Sequence, residues 1–565
     1  MSQPSAQRSS SLIATVLQAQ RPLLQKAAGF SLVSGLLLLT PTVFMLEVYD
    51  RVINSRSTTT LVMLLLCTLG LTALMEVLEL VRSKFLQQAG WQLDAGLREK
   101  LHDALFESSL RQGGASTQSF TDLKTLREFI FSPAVNAILD LPAALLFLVI
   151  VFLISPWLGV LALLGAAVQT VIGVRTEKKT MPVLTEANKA AIAAQSYANG
   201  ALQNAQVIAS MGMKTSITRR WSERQRKFLA LQAQASDVAG TNAVSSRFIQ
   251  TMQGSLILGA SCWLAMHGLL FGGGGMMIVA STLGGRVLAP LVQLISQWRQ
   301  VVNARDAYHR LDKVLALASE LPPCMPLPVP QGKLSVEGVV AAAPGSKTAI
   351  IRGVTFALQP GEILMISGPS AAGKTTLARL LMGIWPVASG KVRLDGADIH
   401  AWDKTELGPH LGYLPQYVEL FDGTMAENIA RFGDINQNEV RAAAELVGLS
   451  GLIAGLPDGY NTRIGEDGAF LSGGQRQRVG LARAIYGKPR FVLLDEPNSS
   501  LDTAGEQAFM NTLLALKARQ CSTIVISHRS SVLPAADKIL LLREGQVAAF
   551  GPRDELLDKL RQAAA

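Results

Sequence analysis

Cysteine is scarce in this chain and nowhere arranged to do chemistry. The four in 565 residues, Cys67, Cys262, Cys324 and Cys521, lie far apart, with none of the spacing that a metal ion needs. Two of them fall in apolar runs, so unpaired and reduced thiols are expected. Charge is the second scarcity. Only 17% of residues are Asp, Glu, Lys or Arg against 49% hydrophobic, and the mean hydropathy of +0.29 is too high for an ordinary soluble protein.

Long stretches carry no charge at all. Ala27 to Leu46 is uncharged for twenty residues, enough to span a bilayer, and Ser57 to Met75 for nineteen. Leu141 to Val174 is uncharged for thirty-four residues and is broken by Ser155-Pro156-Trp157, which predicts a hairpin of two spans. The first of these starts near Ser132 and carries Asp140 within it. Phe248 to Gly285 is uncharged for thirty-eight residues, broken by Gly272 to Gly275, and its last helix continues past Arg286 to about Ile295. The expectation is six spans within residues 27–317. Residues 1–26 are polar, with Arg8, Arg21 and Lys26, and read as a cytoplasmic tail; the apolar run that follows is too long for a cleavable signal.

The charge that is present is one-sided. Between spans two and three lie Arg82, Lys84, Arg98, Lys100, Arg111, Lys124 and Arg127, and between spans four and five lie eleven more basic residues. The opposite loops hold only Arg51 and Arg56. Both termini and both long loops are therefore expected in the cytoplasm. The net charge of +10 is largely this topology signal, so nucleic acid is not expected as a partner. The long loops, Arg82 to Arg111 and Arg175 to Phe228, are rich in helix formers and read as extensions of the membrane helices. They reverse near Ser116 to Phe131 and near Ala205 to Met213. Glu76 and Glu79 share a helix face. With Asp140 and Arg286 they either line a polar path or serve structure, in the second case with Arg286 paired to Asp140.

Ala318 to Lys333 carries five prolines and reads as a linker, and from Leu334 to Ala565 the composition becomes that of an α/β domain. Gly368-Pro369-Ser370-Ala371-Ala372-Gly373-Lys374-Thr375-Thr376 fits G-x-x-x-x-G-K-[ST], after a strand Ile363–Ser367 and before a helix Leu377–Met382. Backbone N–H groups there would cradle a polyphosphate, Lys374 would reach the β- and γ-phosphates, and Thr375 would ligate Mg²⁺. Phe491 to Glu496 reads as a buried strand ending in two carboxylates; Asp495 suits the metal shell, and Glu496 suits orienting or deprotonating the attacking water. Ser472 is a good N-cap for a helix through Gly473, Gly474 and Gln475 to Ile485, which makes a second phosphate cradle. Gln416 follows a strand at Gly412–Pro415 and His528 follows one at Ser522–Ser527; both are placed to sense a γ-phosphate, and Gln416 also the metal.

Lys374, Gln416, Leu471-Ser472-Gly473-Gly474-Gln475, Asp495-Glu496, Ser500-Leu501-Asp502 and His528 together resemble the motif set of an ABC-transporter ATPase. Six spans ahead of one such domain resemble an exporter half-transporter. The resemblance implies a six-helix transmembrane domain fused to an α/β P-loop domain, with ATP and Mg²⁺ as cofactors. It also implies a homodimer in which the LSGGQ of one subunit closes over the nucleotide on the partner's P-loop, and cytoplasmic tips coupled to the Gln416 region. A narrower resemblance, carried by Leu407 to Gln416, Val418 to Phe421, Gly423 to Ile429, Val48 to Val52 and Met211-Gly212-Met213, is to type I secretion exporters, nearest those for metalloproteases, lipases and haem-scavenging proteins. It implies a bacterial inner-membrane location and three kinds of partner: a periplasmic adaptor, an outer-membrane channel and a secreted polypeptide. A lipid or drug exporter would share the architecture. With only 26 residues before the first span, the leader-peptidase domain of some members is expected to be absent, so the cargo signal is expected to be uncleaved and C-terminal. One departure stands out: the family often stacks adenine on an aromatic residue upstream of the P-loop, and Val339 to Gly345 contains none.

Overall fold

The computed structural model describes residues 12–112, 118–270, 273–318, 327–343, 346, 348–465 and 470–564. They divide into two compact units, one within 1–107 and 115–320, the other within 108–114 and 321–565. Cys324, Pro322, Pro323 and Pro326 of the expected linker, Pro344 and Gly345, and the turn at 271–272 lie outside the described residues. Cys67, Cys262 and Cys521 are free thiols.

The first unit is helical: α1 Leu12–Ala19, α2 Arg21–Leu37, α3 Thr40–Glu47, α4 Thr58–Gln112, α5 Gln118–Ile130, α6 Pro133–Leu139, α7 Leu141–Ile154, α8 Pro156–Gln203, α9 Lys214–Met266, α10 Gly273–Ser296 and α11 Trp298–Ala318. Part of the polar N-terminal stretch is thus a helix, α1, whose Ile13 packs into a core with Leu93, Leu97 and Leu311. Few breakers interrupt 58–112, so α4 runs unbroken for 55 residues, about 80 Å at the helical rise. The chain reverses at Ser155, whose extended backbone precedes Pro156 at the start of α8. It reverses again at Gly212 after a short helix Ala205–Ser210.

Among the described residues, five helical stretches are long and apolar enough to cross a membrane. The remaining expected span forms the end of α9, and its hydropathy is diluted by Gln250, Gln253, Ser255 and Ser261. These polar groups are satisfied within the bundle: Gln253 Nε2 donates to the Gly284 carbonyl at 3.3 Å and Gln250 Nε2 to that of Gly285 at 3.3 Å. The glycine run expected to break the last hairpin does so only in part. Gly273 to Gly275 already belong to α10, and the preceding helix ends at Met266, capped by His267 and followed by Gly268 at φ +67°.

The first span is likewise interrupted, between α2 and α3. Pro41 has no N–H to give, and the Thr42 N–H turns to the Leu39 carbonyl at 2.9 Å, so the Leu38 carbonyl has no helical donor. Arg286 Nη1 donates to it. Arg286 therefore does not pair with Asp140, contrary to the structural alternative above. Asp140, at the junction of α6 and α7, instead accepts from Arg82 Nη1 at 2.7 Å, because the nearly buried Arg82 guanidinium needs a carboxylate and also reaches Ser31.

The second unit is α/β. β1 Leu334–Ala342, β2 Ala349–Leu358, β4 Ser389–Leu394 and β5 Ala397–Asp398 form an antiparallel sheet in the order β2-β1-β4-β5. β3 Ile363–Ser367, β6 Leu411–Leu414, β7 Phe491–Asp495, β8 Ser522–Ile526, β9 Lys538–Arg543 and β10 Gln546–Pro552 form a second sheet in the order β10-β9-β3-β8-β7-β6, parallel except for β10. Its central strands are buried on both faces, as the continuous apolar runs Ile-Leu-Met-Ile and Phe-Val-Leu-Leu require. Register sets up the site. Ile526 of β8 lies opposite both Ile366 of β3 and Asp495 of β7, and Leu414 of β6 lies opposite Leu494. Four chain segments therefore leave the sheet at one level, where parallel sheets bind ligands. The same unit carries helices α12 Lys374–Leu381, α13 Gly473–Ile485 and α14 Thr503–Ala518.

Candidate functional site

The loop after β3 turns tightly into α12, which starts at Lys374, earlier than the sequence suggested, because Gly373 caps it at φ +97°. A Cβ at Gly368 would collide with the Leu542 carbonyl, so only glycine lets the loop lie against β9. Ala371 takes φ +64°, the buried Ala372 bonds its N–H to the Pro369 carbonyl, and Ser370 is exposed. Lys374 is 8% exposed, and its ammonium donates to the carbonyls of Gly368 and Pro369, both at 2.9 Å. Burial lowers its pKa, with Glu496 and Asp495 acting against the shift. Thr376 follows on the half-buried side of α12.

Asp495 ends β7 and is 1% exposed. Burial pushes its pKa up to about 6, opposed by a hydrogen bond from Thr375. Its Oδ2 has no protein partner among the described residues. A buried carboxylate oxygen left over beside a hydroxyl is the donor set that a small hard cation takes, so the residues fit Mg²⁺.

Glu496 was expected to lie on the strand, but the strand ends one residue earlier. Its backbone turns left-handed at φ +52°, held by its N–H on the Ile526 carbonyl at 2.9 Å. The turn directs the side chain away from the sheet edge. Glu496 Oε2 accepts from Gln416 Nε2 at 3.2 Å, and its Oε1 lies 3.5 Å from His528 Nε2. Gln416, Glu496 and His528, drawn from three separate loops, thus meet around one carboxylate, with Lys374, Thr375 and Asp495 beside it.

Ser472 and Gln475 form a reciprocal capping box. The Ser472 hydroxyl accepts from the Gln475 N–H at 3.3 Å, and Gln475 Oε1 accepts from the Ser472 N–H at 2.8 Å. Their mutual bonds are within α13, and Ser472 and Gly473 face solvent. The structure therefore leaves this cradle as a separate exposed N-terminus rather than part of the Lys374 cluster.

Two residues went unnoticed in the sequence. Gln477, 5% exposed, donates from Nε2 to the Glu496 carbonyl at 2.8 Å and accepts from the Ser500 N–H at 3.1 Å. Asn498, 2% exposed, accepts from the Ser527 hydroxyl at 3.2 Å and donates to Ser531 at 3.2 Å, tying the Glu496 loop to the His528 loop. Gln477 lies on the buried face of α13, which otherwise carries Val479, Gly480, Leu481, Ala482, Ala484 and Ile485; a polar residue on that face was the available signal.

Comparison with known proteins agrees with this architecture. The family described as ABC transporter matches residues 351–499, and ABC transporter transmembrane region matches 27–284. The Type I secretion system ATP-binding protein PrsD of Rhizobium meliloti (strain 1021) is 38% identical over 530 residues, covering 93% of this chain and 90% of that protein. The Cyclolysin secretion/processing ATP-binding protein CyaB of Bordetella pertussis (strain Tohama I) is 28% identical over 531 residues, 92% of this chain and 74% of that protein. In fold, a bacterial Atm1-family ABC exporter with ATP bound matches with a TM-score of 0.83 at 24% identity, over 96% of this chain and 97% of that one. With that exporter fold, and with such identity along nearly its whole length, the chain belongs to the ABC transporters, in their type I secretion branch: a multi-pass membrane protein whose ATP hydrolysis is coupled to transport.

Proposed function

We propose that this protein exports an unfolded polypeptide across the bacterial inner membrane as the ATP-driven component of a type I secretion system. The observation that carries the reading is the likeness to PrsD along 93% of the chain. Residues 27–317 serve as the membrane domain and 334–565 as the ATPase, joined by a linker at 318–333, with both termini in the cytoplasm; the excess of Lys and Arg in the two long loops supports that orientation.

Two copies act as a homodimer. The loop Gly368 to Thr376 of one holds ATP, and the helix N-terminus at Ser472, Gly473, Gly474 and Gln475 of the other closes over its γ-phosphate. The solvent-facing position of that N-terminus, apart from Lys374, supports the arrangement. Lys374 binds the phosphates. Thr375, Asp495 and Gln416 would hold Mg²⁺, which would neutralise charge on the transferring phosphoryl group. Glu496 takes the proton of the attacking water, while His528 and Gln416 fix its carboxylate from either side. A periplasmic adaptor and an outer-membrane channel receive the cargo, whose uncleaved signal lies at its C-terminus.

The test is reconstitution with an adaptor, a channel and a candidate cargo, intact or truncated at its C-terminus. Truncation should cut secretion by about tenfold or more. Equal secretion of both forms rejects C-terminal recognition. Hydrolysis stimulated by lipid or hydrophobic drug and not by polypeptide makes the protein a lipid or drug exporter instead.

A further inference from the structure

Helix α13 begins with the exposed Ser472 cradle, and from its first two turns Gln477 points inward. Its carboxamide closes three bonds on the loop that joins β7 to α14. Nε2 donates to the Glu496 carbonyl at 2.8 Å and to Ser499 Oγ at 3.2 Å, and Oε1 accepts from the Ser500 N–H at 3.1 Å. The first turn of the helix touches the same loop directly: a Cβ on Gly474 would sit 2.6 Å from the Ser500 carbonyl oxygen. Close approach at Gly474 and three hydrogen bonds from Gln477 make helix and loop one mechanical body.

The residue at the far end of that body is under conformational strain. Glu496 holds φ +52°, a region that non-glycine residues enter only when surrounding bonds insist. Its N–H is fixed by β8 through Ile526, and its carbonyl by Gln477. Those two bonds bracket the Cα and so set the direction of the carboxylate toward Gln416 and His528.

We propose that Gln477 is a positioning residue that couples the two nucleotide sites, transmitting the docking of Ser472 on one nucleotide to the orientation of the Glu496 carboxylate at the other. The inference rests on the composite-site reading above. The Ser472 cradle then serves the partner's nucleotide, whereas Glu496 of the same chain serves its own. Gln477 spans the short distance between them within one chain. Engagement of the cradle presses α13, and through Gln477 the Glu496 backbone, into the geometry in which the base meets the water.

The experiment uses the full-length protein in nanodiscs with two near-isosteric variants. Gln477→Leu removes all three bonds. Gln477→Glu keeps an acceptor for the Ser500 N–H but has no donor for the Glu496 carbonyl. Both should lower kcat by about tenfold or more while KM for ATP stays within about threefold, with a fall in Tm from the partners left unbonded in the Glu496 loop. Both should also lower the Hill coefficient for ATP relative to the parent measured alongside. A kcat within about twofold of the parent for either variant overturns the proposal. So does a joint fall in Tm and rise in KM, which marks a role in folding alone. Disulfide crosslinking between cysteines placed at Ser472 and in the P-loop keeps the two readings separable. Crosslinks between chains with normal kcat in Gln477→Leu sink only the coupling, and crosslinks confined to one chain sink the composite site itself.

Discussion

The arrangement at Glu496 is strained, and the strain has a use. A left-handed non-glycine residue costs about 1–3 kcal/mol, and here the bonds from Ile526 and Gln477 hold it in place. The turned backbone brings the carboxylate within 3.2 Å of Gln416 and 3.5 Å of His528, the position of a base rather than of a core carboxylate. Glu496→Gln keeps size and hydrogen bonding but removes the proton acceptor. We expect it to bind ATP with unchanged affinity and to slow hydrolysis by about 10²- to 10⁴-fold. Nucleotide binding and phosphate release on the purified variant check this, and near-normal release would remove Glu496 from the role. Neighbouring Asp495 differs in kind: buried, with one oxygen that has no partner among the described residues and a pKa raised to about 6 by burial, it suits a cation and not a water.

Helix α13 is held at both ends by side chains from elsewhere in the sequence or from its own first turn. At the N-terminus the Ser472–Gln475 box satisfies two orphan N–H groups. At the C-terminus Arg431 does the corresponding work for carbonyls. Its guanidinium donates to Arg483 O at 2.9 Å, Ala484 O at 3.1 Å, Tyr486 O at 3.0 Å and Gly408 O at 2.9 Å. Burial, with the Arg483 charge adding to it, lowers its pKa to about 10, which leaves it protonated at neutral pH. Arg483 answers by gripping Asn428 and the Glu419 carbonyl, so the segment from Glu419 to Arg431 and the end of α13 are interlocked. Arg431→Ala strands four carbonyls and should destabilise the ATPase unit by at least about 3 kcal/mol. Arg431→Lys should recover little of this, because a single ammonium cannot reproduce the planar fork. Thermal unfolding of the two variants measures the difference; a full rescue by lysine would show that charge alone matters. In the membrane unit Pro41 plays the opposite part, opening a helix so that the Leu38 carbonyl can take Arg286.

For the whole molecule, one chain holds one Lys374 loop and one separate Ser472 cradle, which makes the pairing of subunits testable by mixing lesions. In a dimer of one Lys374→Ala chain and one Ser472→Ala chain, composite sites place both lesions in one site and leave the other intact. Such mixed dimers should keep about half the parent hydrolysis if the sites work independently and far less if they must alternate. Assembly from differently tagged chains, purified through both tags, gives the measurement. If each chain were self-sufficient, both sites of the mixed dimer would be damaged and activity would fall to the level of the single-lesion homodimers.

Much of this protein is written locally and was readable as such. The uncharged runs, the Pro156 reversal, the Gly368 to Thr376 loop and the Ser472 cap depend on composition and short spacing, and they form where those signals lie. The strands Ile363–Ser367, Leu411–Leu414, Phe491–Asp495 and Ser522–Ile526 likewise form where short apolar runs lie. Other features required contacts between residues far apart in sequence, which no local pattern encodes. That Asp140 pairs with Arg82 and not with Arg286 was decided by which helices pack and which carbonyl Pro41 had freed. The register of β8 against β3 and β7 brought Gln416, Glu496 and His528 to one carboxylate, although 112 positions separate the first from the last. The left-handed turn at Glu496, and the Gln477 carboxamide that closes on it, belong to the same class. A backbone strained against its own preference exists only where tertiary bonds outweigh that preference, so Glu496 itself was legible at the end of its strand while the bonds that turn and hold its carboxylate came from the folded structure alone.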